Sequence, residues 1–469
     1  MSNPVTLSLV DLTAQLHARK LSPVELMDAV LARIDATNPT LNAVVALHDR
    51  ERLRAQAREA EARIARGEGR ALEGVPLGVK DLEDTAGLVT SHGSVPYKNN
   101  RVDHDSVQVE RLRAAGAIPI GKTNAPEFGV TAITKNLVFG VTRSPWNPER
   151  TPGGSSGGSA AVLAGCIVPL VTASDGGGST RIPASFVGAF GLKPSYGRIP
   201  HEPHRLWYFG DTAVHGPLTK TVADNALYLD TTCGYDRRDP KSLPHPGYSY
   251  RAKLAEGVPR KLRIGYSADL GYAVVQSDVA QAVYDAVRVF EKLGHTVEEI
   301  AGGPPKLGEA WGVFGSFEMA AAHLHLLPEH ESEFQRGVLA SMKGAWDMTP
   351  EWFSQAAQAR QSLSAWAASV FEKYDLLVTP TVPYDPPPAK GPFPSETEGR
   401  RQLAWGVASF TIPFNLSWHP ACSLRVGLSN AGLPIGMQIV AERHQDDLVL
   451  QAAQAFERER PWHPHWPVI

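Results

Sequence analysis

The sequence predicts an α/β fold, with a central sheet covered by helices on both faces. Short apolar segments alternate with helical ones, a pattern typical of sheets packed between helices. This alternation begins near residue 74 and continues through most of the 469 residues, without an internal repeat. The predicted strands are residues 74–79, 117–120, 167–173, 262–266 and 376–382.

The sequence also predicts helices and a loop before, between and after these strands. Ser22 can cap a helix in which Pro23 occupies the first turn and Glu25 completes a capping box. The charged, alanine-rich segment 51–66 predicts a second helix, so residues 1–66 form a helical N-terminal part. Residues 380–398 are rich in proline and predict a loop, because proline cannot pair fully in a sheet. Residues 448–457 predict a final helix.

The charge and composition of the chain indicate which classes of partner are not expected. The net charge is −3 and the charges are mixed, which gives no electrostatic reason to expect nucleic acid or an anionic membrane as a partner. The three cysteines are widely spaced, with no pairing typical of a zinc site or a disulfide framework. No segment is long and apolar enough for a secretory signal or a bilayer span. We therefore expect a cytoplasmic protein that has neither a membrane association nor a metal.

Two glycine-rich segments each present serine. The first is residues 153–158, Gly-Gly-Ser-Ser-Gly-Gly, and the second is residues 175–181, Asp-Gly-Gly-Gly-Ser-Thr-Arg. Glycine lets a substrate approach main-chain N–H groups closely, so the second segment predicts backbone donors beside a serine nucleophile. Upstream, Lys80 ends an apolar stretch, where a desolvated lysine can act as a base.

Two other motifs offer alternative chemistries. Residues 116–123 spell a complete phosphate-binding P-loop pattern that ends in Lys122 and Thr123. Its middle is apolar and contains Pro119, which has no N–H to donate, and a helix precedes it where a P-loop needs a strand. Segment 117–120 is therefore interpreted as a buried strand.

The second alternative is a nucleophile elbow. A Gly-x-Ser-x-Gly pattern occurs around Ser155 and Ser156, as in α/β-hydrolase esterases with a Ser-His-Asp triad. His201, His215 and His419 are available as bases, although nothing in the sequence favours one of them. This interpretation, with Ser156 as nucleophile, leaves the second serine segment without a role.

The lysine and both serine segments together resemble the amidase signature family. The similarity continues through residues 191–194, 215–224 and 432–438, and so covers nearly the whole chain. It implies a single large α/β/α domain over residues 1–469 with a mixed central sheet.

The resemblance also implies roles for particular residues. Lys80, Ser155 and Ser179 correspond to a Ser-cisSer-Lys triad, in which Ser179 forms an acyl-enzyme and the peptide bond before Ser155 is cis. The backbone amides of Gly176, Gly177 and Gly178 correspond to an oxyanion hole. Residues that match supporting positions around the triad are Ser156, Asp175 and Arg181. No cofactor is implied.

The chain also departs from the family pattern. Ala173-Ser174-Asp175 stands where relatives have Gly-Thr-Asp, and Trp418 and Arg425 stand where they tend to have glycine and proline. An indole at position 418 predicts a pocket for flat aromatic groups. The residues expected to line the substrate pocket are Gly129, Thr131, Phe209 and Trp418. Further aromatics that either line it or belong to the core are Trp207, Tyr208, Trp311, Phe314 and Phe317.

The predicted activity is hydrolysis of a small-molecule amide, with aryl amides favoured and esters or carbamates as further substrates. Such an enzyme would be called an aryl acylamidase or a urethanase. Transamidating relatives that act on charged tRNA carry a Glu-Ala-Ser-Ser-Asn segment, which is missing here. A free-standing hydrolase, monomeric or homodimeric, is therefore favoured over one component of an amidotransferase. The remaining alternative is a binding protein that kept the fold without catalysis, which is disfavoured because all three triad residues are present.

Overall fold

The computed structural model describes residues 3–201, 209, 211–307, 309–463, 465–467 and 469. Trp207 and Tyr208, two of the aromatics considered above, lie outside this part of the chain. The strands are β1 (Val44–Leu47), β2 (Pro76–Lys80), β3 (Ile118–Thr123), β4 (Lys135–Asn136), β5 (Gly140–Val141), β6 (Leu170–Val171), β7 (Ser174–Asp175), β8 (Phe190–Lys193), β9 (Val214–His215), β10 (Leu218–Thr219), β11 (Arg263–Tyr266), β12 (Thr296–Glu299), β13 (Leu376–Pro380), β14 (Glu396–Thr397), β15 (Arg400–Arg401), β16 (Ala421–Leu428) and β17 (Pro434–Ala441).

The helices flank the sheet. They are α1 (Leu9–His17), α2 (Pro23–Leu41), α3 (Arg50–Ala65), α4 (Val107–Ala114), α5 (Gly157–Ala164), α6 (Arg181–Val187), α7 (Val222–Thr232), α8 (Tyr250–Glu256), α9 (Ser277–Lys292), α10 (Ala310–His323), α11 (Leu327–His330), α12 (Arg336–Trp346), α13 (Pro350–Phe371), α14 (Ile412–Leu416) and α15 (Asp446–Glu459). Within the described ranges, none of these helices has the length and apolar character needed to cross a membrane.

The central sheet confirms the predicted α/β fold. Over the described residues it has eleven strands in the order β1-β3-β2-β6-β10-β8-β16-β17-β13-β11-β12. Strands β3, β2 and β6 run parallel, as do β13, β11 and β12, whereas the strands between them pair antiparallel. The sheet is therefore mixed, and a continuous apolar core packs between it and its helices.

Local sequence patterns predicted several helices close to their observed bounds. Helix α2 begins with the capping box of Ser22 and Glu25, and α3 and α15 lie within two residues of their predicted bounds. The strand β1 was not predicted, because its four residues lie between two strong helices. It pairs antiparallel with β3 at one edge of the sheet and so ties the N-terminal segment to the fold.

Candidate active site

Three chain segments meet beside the parallel strands β2 and β6. Lys80 is the last residue of β2, a strand that is buried along its whole length. Ser155 and Ser156 directly precede helix α5, and Ser179 lies two residues before helix α6. The carboxyl end of a buried strand thus carries the lysine, and the loops that enter two helices carry the serines.

The Lys80 ammonium group is enclosed by oxygen atoms. Its Nζ lies 2.9 Å from the Ser155 Oγ, 2.8 Å from the Ser156 Oγ and 2.9 Å from the Ser174 Oγ, with the Ser174 carbonyl at 3.4 Å. Lys80 is 0 % exposed. The Ser174 hydroxyl is a direct partner that the sequence analysis noted only as a difference from the family pattern.

Burial decides the protonation of this lysine. Desolvation lowers the pKa of Lys80 from its ordinary 10.5 to about 7, although the negative charges of Glu83 and Asp175 oppose that shift. Among the described residues no carboxylate lies within ion-pair distance of Nζ. A large neutral fraction near pH 7 follows, and a neutral amine with hydroxyl neighbours can accept a proton.

The two serine segments are joined through their backbones. The peptide bond between Gly154 and Ser155 is cis. The Ser156 amide donates to the Ser179 carbonyl at 3.2 Å, which holds the first serine loop against the second. Ser155 is almost fully buried whereas Ser179 is partly exposed, and both line one cavity. Ser179 is therefore the more accessible of the two to a substrate.

The segment 175–179, called the glycine loop below, has its carbonyls held by distant side chains. Asn415 Nδ2 donates to the Asp175 carbonyl at 2.9 Å, Trp311 Nε1 to that of Gly176 at 2.7 Å, and Thr411 Oγ1 to that of Gly177 at 2.7 Å. These three donors could not be predicted from the sequence, because each lies more than 130 residues away and belongs to no local motif.

The amides of the glycine loop differ from what the sequence predicted at one position. The Gly178 N–H donates to Asp175 Oδ1 at 2.8 Å, so it is not free to bind an oxyanion here. The amides of Gly176, Gly177 and Ser179 have no hydrogen-bond acceptor within the described residues. Glycine is required at 178, where φ is +130° and a Cβ atom would lie 2.4 Å from Thr411 Oγ1.

Asp175 and Arg181 form a buried ion pair behind the glycine loop. The five N–H groups of Arg181 are matched by five acceptors: two oxygens of Asp175, the Thr411 carbonyl, Gln438 Oε1 and Asn415 Oδ1. Burial would raise the pKa of Asp175, but the charge and hydrogen bonds of Arg181 outweigh it and hold that pKa well below its usual value. The pair anchors the loop, because Asp175 also receives the Gly178 and Thr180 amides.

A cavity of about 240 Å³ opens beside the serines. It is lined by Ser155, Ser174, Gly176, Gly177 and Ser179 at one end and by apolar side chains elsewhere. None of the described residues that line it is charged. Three of the predicted pocket residues, Gly129, Thr131 and Phe209, do line it. The indole of Trp311 lines it too and stacks on Phe209, with ring centroids 4.4 Å apart.

The prediction that Trp418 lines the pocket is wrong. Its ring stacks on Tyr196 with centroids 4.8 Å apart, the Arg360 guanidinium covers it at 5.0 Å, and its Nε1 donates to the Asp211 carbonyl at 2.6 Å. These contacts hold the indole outside the cavity. Of the further aromatics, Phe314 packs against the apolar cluster beside the cavity, and Phe317 is half exposed.

The structure gives no support to the alternative motifs. Lys122 lies in the buried strand β3, where Nζ donates to the Glu83 carbonyl and to Thr90 Oγ1, so the P-loop pattern does not form a phosphate loop. The Ser156 hydroxyl contacts Lys80 and Ser174, and within the described residues it has no hydrogen bond to a histidine. His419 contacts Ser417 and Glu442 instead. Among the side chains described, no cluster of three or more His, Cys, Asp or Glu is placed to hold a metal ion.

Comparison with known proteins shows that the chain is similar to amidases and to amidotransferase subunits. A family model described as Amidase matches residues 25–450. The chain is 37% identical over 468 residues to an acylamidase of Rhodococcus erythropolis, covering 97% of this chain and 96% of that protein. It is 34% identical to a glutamyl-tRNA(Gln) amidotransferase subunit of Roseiflexus sp. (strain RS-1), with 98% of both chains covered.

Solved structures agree with these matches. A bacterial aryl acylamidase superposes with a TM-score of 0.91 at 31% identity, covering 97% of this chain and 96% of the other. A 6-aminohexanoate cyclic dimer hydrolase superposes with a TM-score of 0.89 at 30% identity, covering 99% of each chain.

Proposed function

Because the chain belongs to the amidase signature family and is therefore an enzyme that hydrolyses amide C–N bonds, we propose that it cleaves aryl amides through an acyl-enzyme on Ser179. The observation that carries this proposal is the uncharged, largely apolar cavity that ends at Ser179, Ser155 and the two unengaged glycine amides. A flat apolar group fits such a lining better than a charged one, because burying an unpaired charge is costly.

In the first step, neutral Lys80 accepts the proton of Ser155, and Ser155 accepts that of Ser179. The 2.9 Å distance between Lys80 Nζ and Ser155 Oγ suits the first of these transfers. Ser179 Oγ then attacks the carbonyl carbon of the substrate and forms a tetrahedral intermediate. When the C–N bond breaks, the proton returns through Ser155 to the leaving amine, and water later releases the acid by the same route.

The negative oxygen of the tetrahedral intermediate needs donors that are already in place. We assign this role to the amides of Gly176, Gly177 and Ser179, because Gly178 is engaged by Asp175. Each well-placed donor contributes about 3 kcal/mol to the stability of the transition state. Base, nucleophile and donors are all groups of the chain, so the proposed reaction uses neither a metal nor an organic cofactor.

Aryl esters and aryl carbamates are proposed as secondary substrates, since the same attack on a carbonyl carbon cleaves them. A free-standing enzyme is proposed over one component of a tRNA-dependent amidotransferase. The acylamidase relative shares more identity with the chain than the amidotransferase relatives do. The related aryl acylamidase supports the aryl preference.

The test combines labelling with a substrate panel. We expect the purified chain alone to hydrolyse 4-nitroacetanilide faster than acetamide, and a fluorophosphonate to label Ser179. Ser179→Ala should abolish both turnover and labelling, whereas Ser156→Ala, the matched control in the neighbouring loop, should still be labelled. Label on Ser156 would support the nucleophile elbow instead. Turnover that requires added partner proteins would refute the free-standing enzyme.

A further inference from the structure

The peptide units of the glycine loop are held unequally. The unit between Gly177 and Gly178 is tied at both ends, by Thr411 on its carbonyl and by Asp175 on its amide. The unit between Gly176 and Gly177 is tied at one end only, where Trp311 Nε1 donates to the Gly176 carbonyl at 2.7 Å. In the described structure that indole is the single polar restraint on this unit.

This restraint fixes the direction of the Gly177 amide. In a trans peptide the C=O and N–H of one unit point in opposite directions, so holding the Gly176 carbonyl also orients the Gly177 N–H. Glycine stands on both sides of the unit, and without Cβ atoms neither residue restrains its rotation by sterics. The indole hydrogen bond therefore selects between orientations that the backbone itself barely distinguishes.

The same indole also forms part of the substrate cavity. Trp311 lines the cavity and stacks on Phe209 at an interplanar angle of 9°. It packs so closely on the loop that a Cβ atom at Gly177 would lie 2.6 Å from the ring. An aryl group bound in the cavity would therefore contact the side chain that holds the Gly176 carbonyl.

We infer that Trp311 is a positioning residue, which orients the Gly177 amide toward the developing oxyanion and links occupation of the aryl pocket to that orientation. The inference rests on the proposed function, in which the glycine loop stabilises the acyl-transfer transition state. The indole itself does not touch the reacting atoms in this role. Its hydrogen bond should therefore matter for the rate of acylation more than for binding of the ground-state substrate.

A matched pair of tryptophans tests the inference. Trp405 lines the same cavity, and its Nε1 donates no hydrogen bond within the described residues, so W405F removes the same atoms without removing a hydrogen bond to the glycine loop. We would measure kcat and KM for 4-nitroacetanilide in W311F and W405F. Inhibition by an aryl aldehyde, whose adduct with Ser179 places an oxyanion in the site, would be measured in parallel. Replacing Trp311 by β-(3-benzothienyl)alanine removes the N–H at constant shape and serves if W311F does not fold.

The expected result is a split between rate and binding. Relative to W405F, kcat of W311F should fall at least tenfold and the aldehyde should bind weaker by a similar factor, whereas KM should stay within about threefold; deleting a direct oxyanion donor costs about 10²–10³. Equal losses in the two variants, or a loss confined to KM, would overturn the role of Trp311. A wild-type enzyme that forms no aldehyde adduct on Ser179 would instead overturn the proposed nucleophile.

Discussion

Raising the pH through neutrality should switch the enzyme on, because Lys80 must lose its proton before it can act as a base. Burial lowers the pKa of Lys80 to about 7. The neutral fraction then rises from about 10% at pH 6 to about 90% at pH 8. The acylation rate should follow it, increasing about tenfold over this interval and reaching a plateau above pH 8.

The shape of the profile separates a buried lysine from an ordinary one. A lysine with the usual pKa of about 10.4 is less than about 1% neutral at pH 8, and its rate would keep rising about tenfold per pH unit to pH 10. The enclosed position of Nζ, with hydroxyl and carbonyl oxygens as its hydrogen-bond partners, predicts the plateau.

The assay is single-turnover acylation between pH 5.5 and 9.5, with an aryl amide and an activated aryl ester of the same acyl group. Lys80→Met, which keeps an unbranched side chain without the amine, is the control. It should lose amide hydrolysis more severely than ester hydrolysis, since the ester leaving group needs no proton, and its residual rate should lose the step near pH 7. A wild-type profile that is flat from pH 6 to 8, or that rises without a plateau to pH 9.5, would refute this role of Lys80.

Two further predictions concern groups outside the proton relay. Arg181→Met leaves the Asp175 carboxylate buried without its partner, so the free energy of unfolding, measured in urea, should fall by about 3–5 kcal/mol; a loss below about 1 kcal/mol would contradict the anchoring role of this ion pair. Trp418→Gly should leave the ratio of aryl to aliphatic amide turnover within about twofold of wild type, because the indole packs on Tyr196 outside the cavity. A tenfold change in that ratio would return Trp418 to the substrate pocket.

The sequence predicted the parts of the site that depend on local pattern. Each glycine-rich serine segment is only a few residues long and can be recognised from the sequence alone, as can the buried end of β2. The structure brings Lys80 and the serines together beside one cavity. Trp418 was misplaced because chain position does not determine which way a side chain packs. The carbonyl donors Trp311, Thr411 and Asn415 were missed because nothing near them in sequence indicates a partner in the glycine loop.

The hydrogen bond of the Gly178 amide is another feature of the site that the sequence pattern could not predict. The glycine run predicted three consecutive backbone donors, but Asp175, only three residues before Gly178, accepts the hydrogen bond of one of them. A side chain that turns back on its own loop competes with the substrate for the same N–H groups. Composition alone cannot show that competition, because it depends on the direction of each peptide plane.

Arg181 donates hydrogen bonds to residues far downstream in the chain, and this determines when the active site can form during protein synthesis. Its acceptors Thr411, Asn415 and Gln438 lie 230 to 257 residues downstream. A nascent chain that has emerged as far as residue 300 carries the lysine and every serine of the site, yet Thr411, Asn415 and Gln438 are still inside the ribosome or untranslated. Since domains generally fold as units during translation, we expect hydrolytic activity only after β17 has joined the sheet. We therefore expect chains that end before β17 to be inactive toward amides.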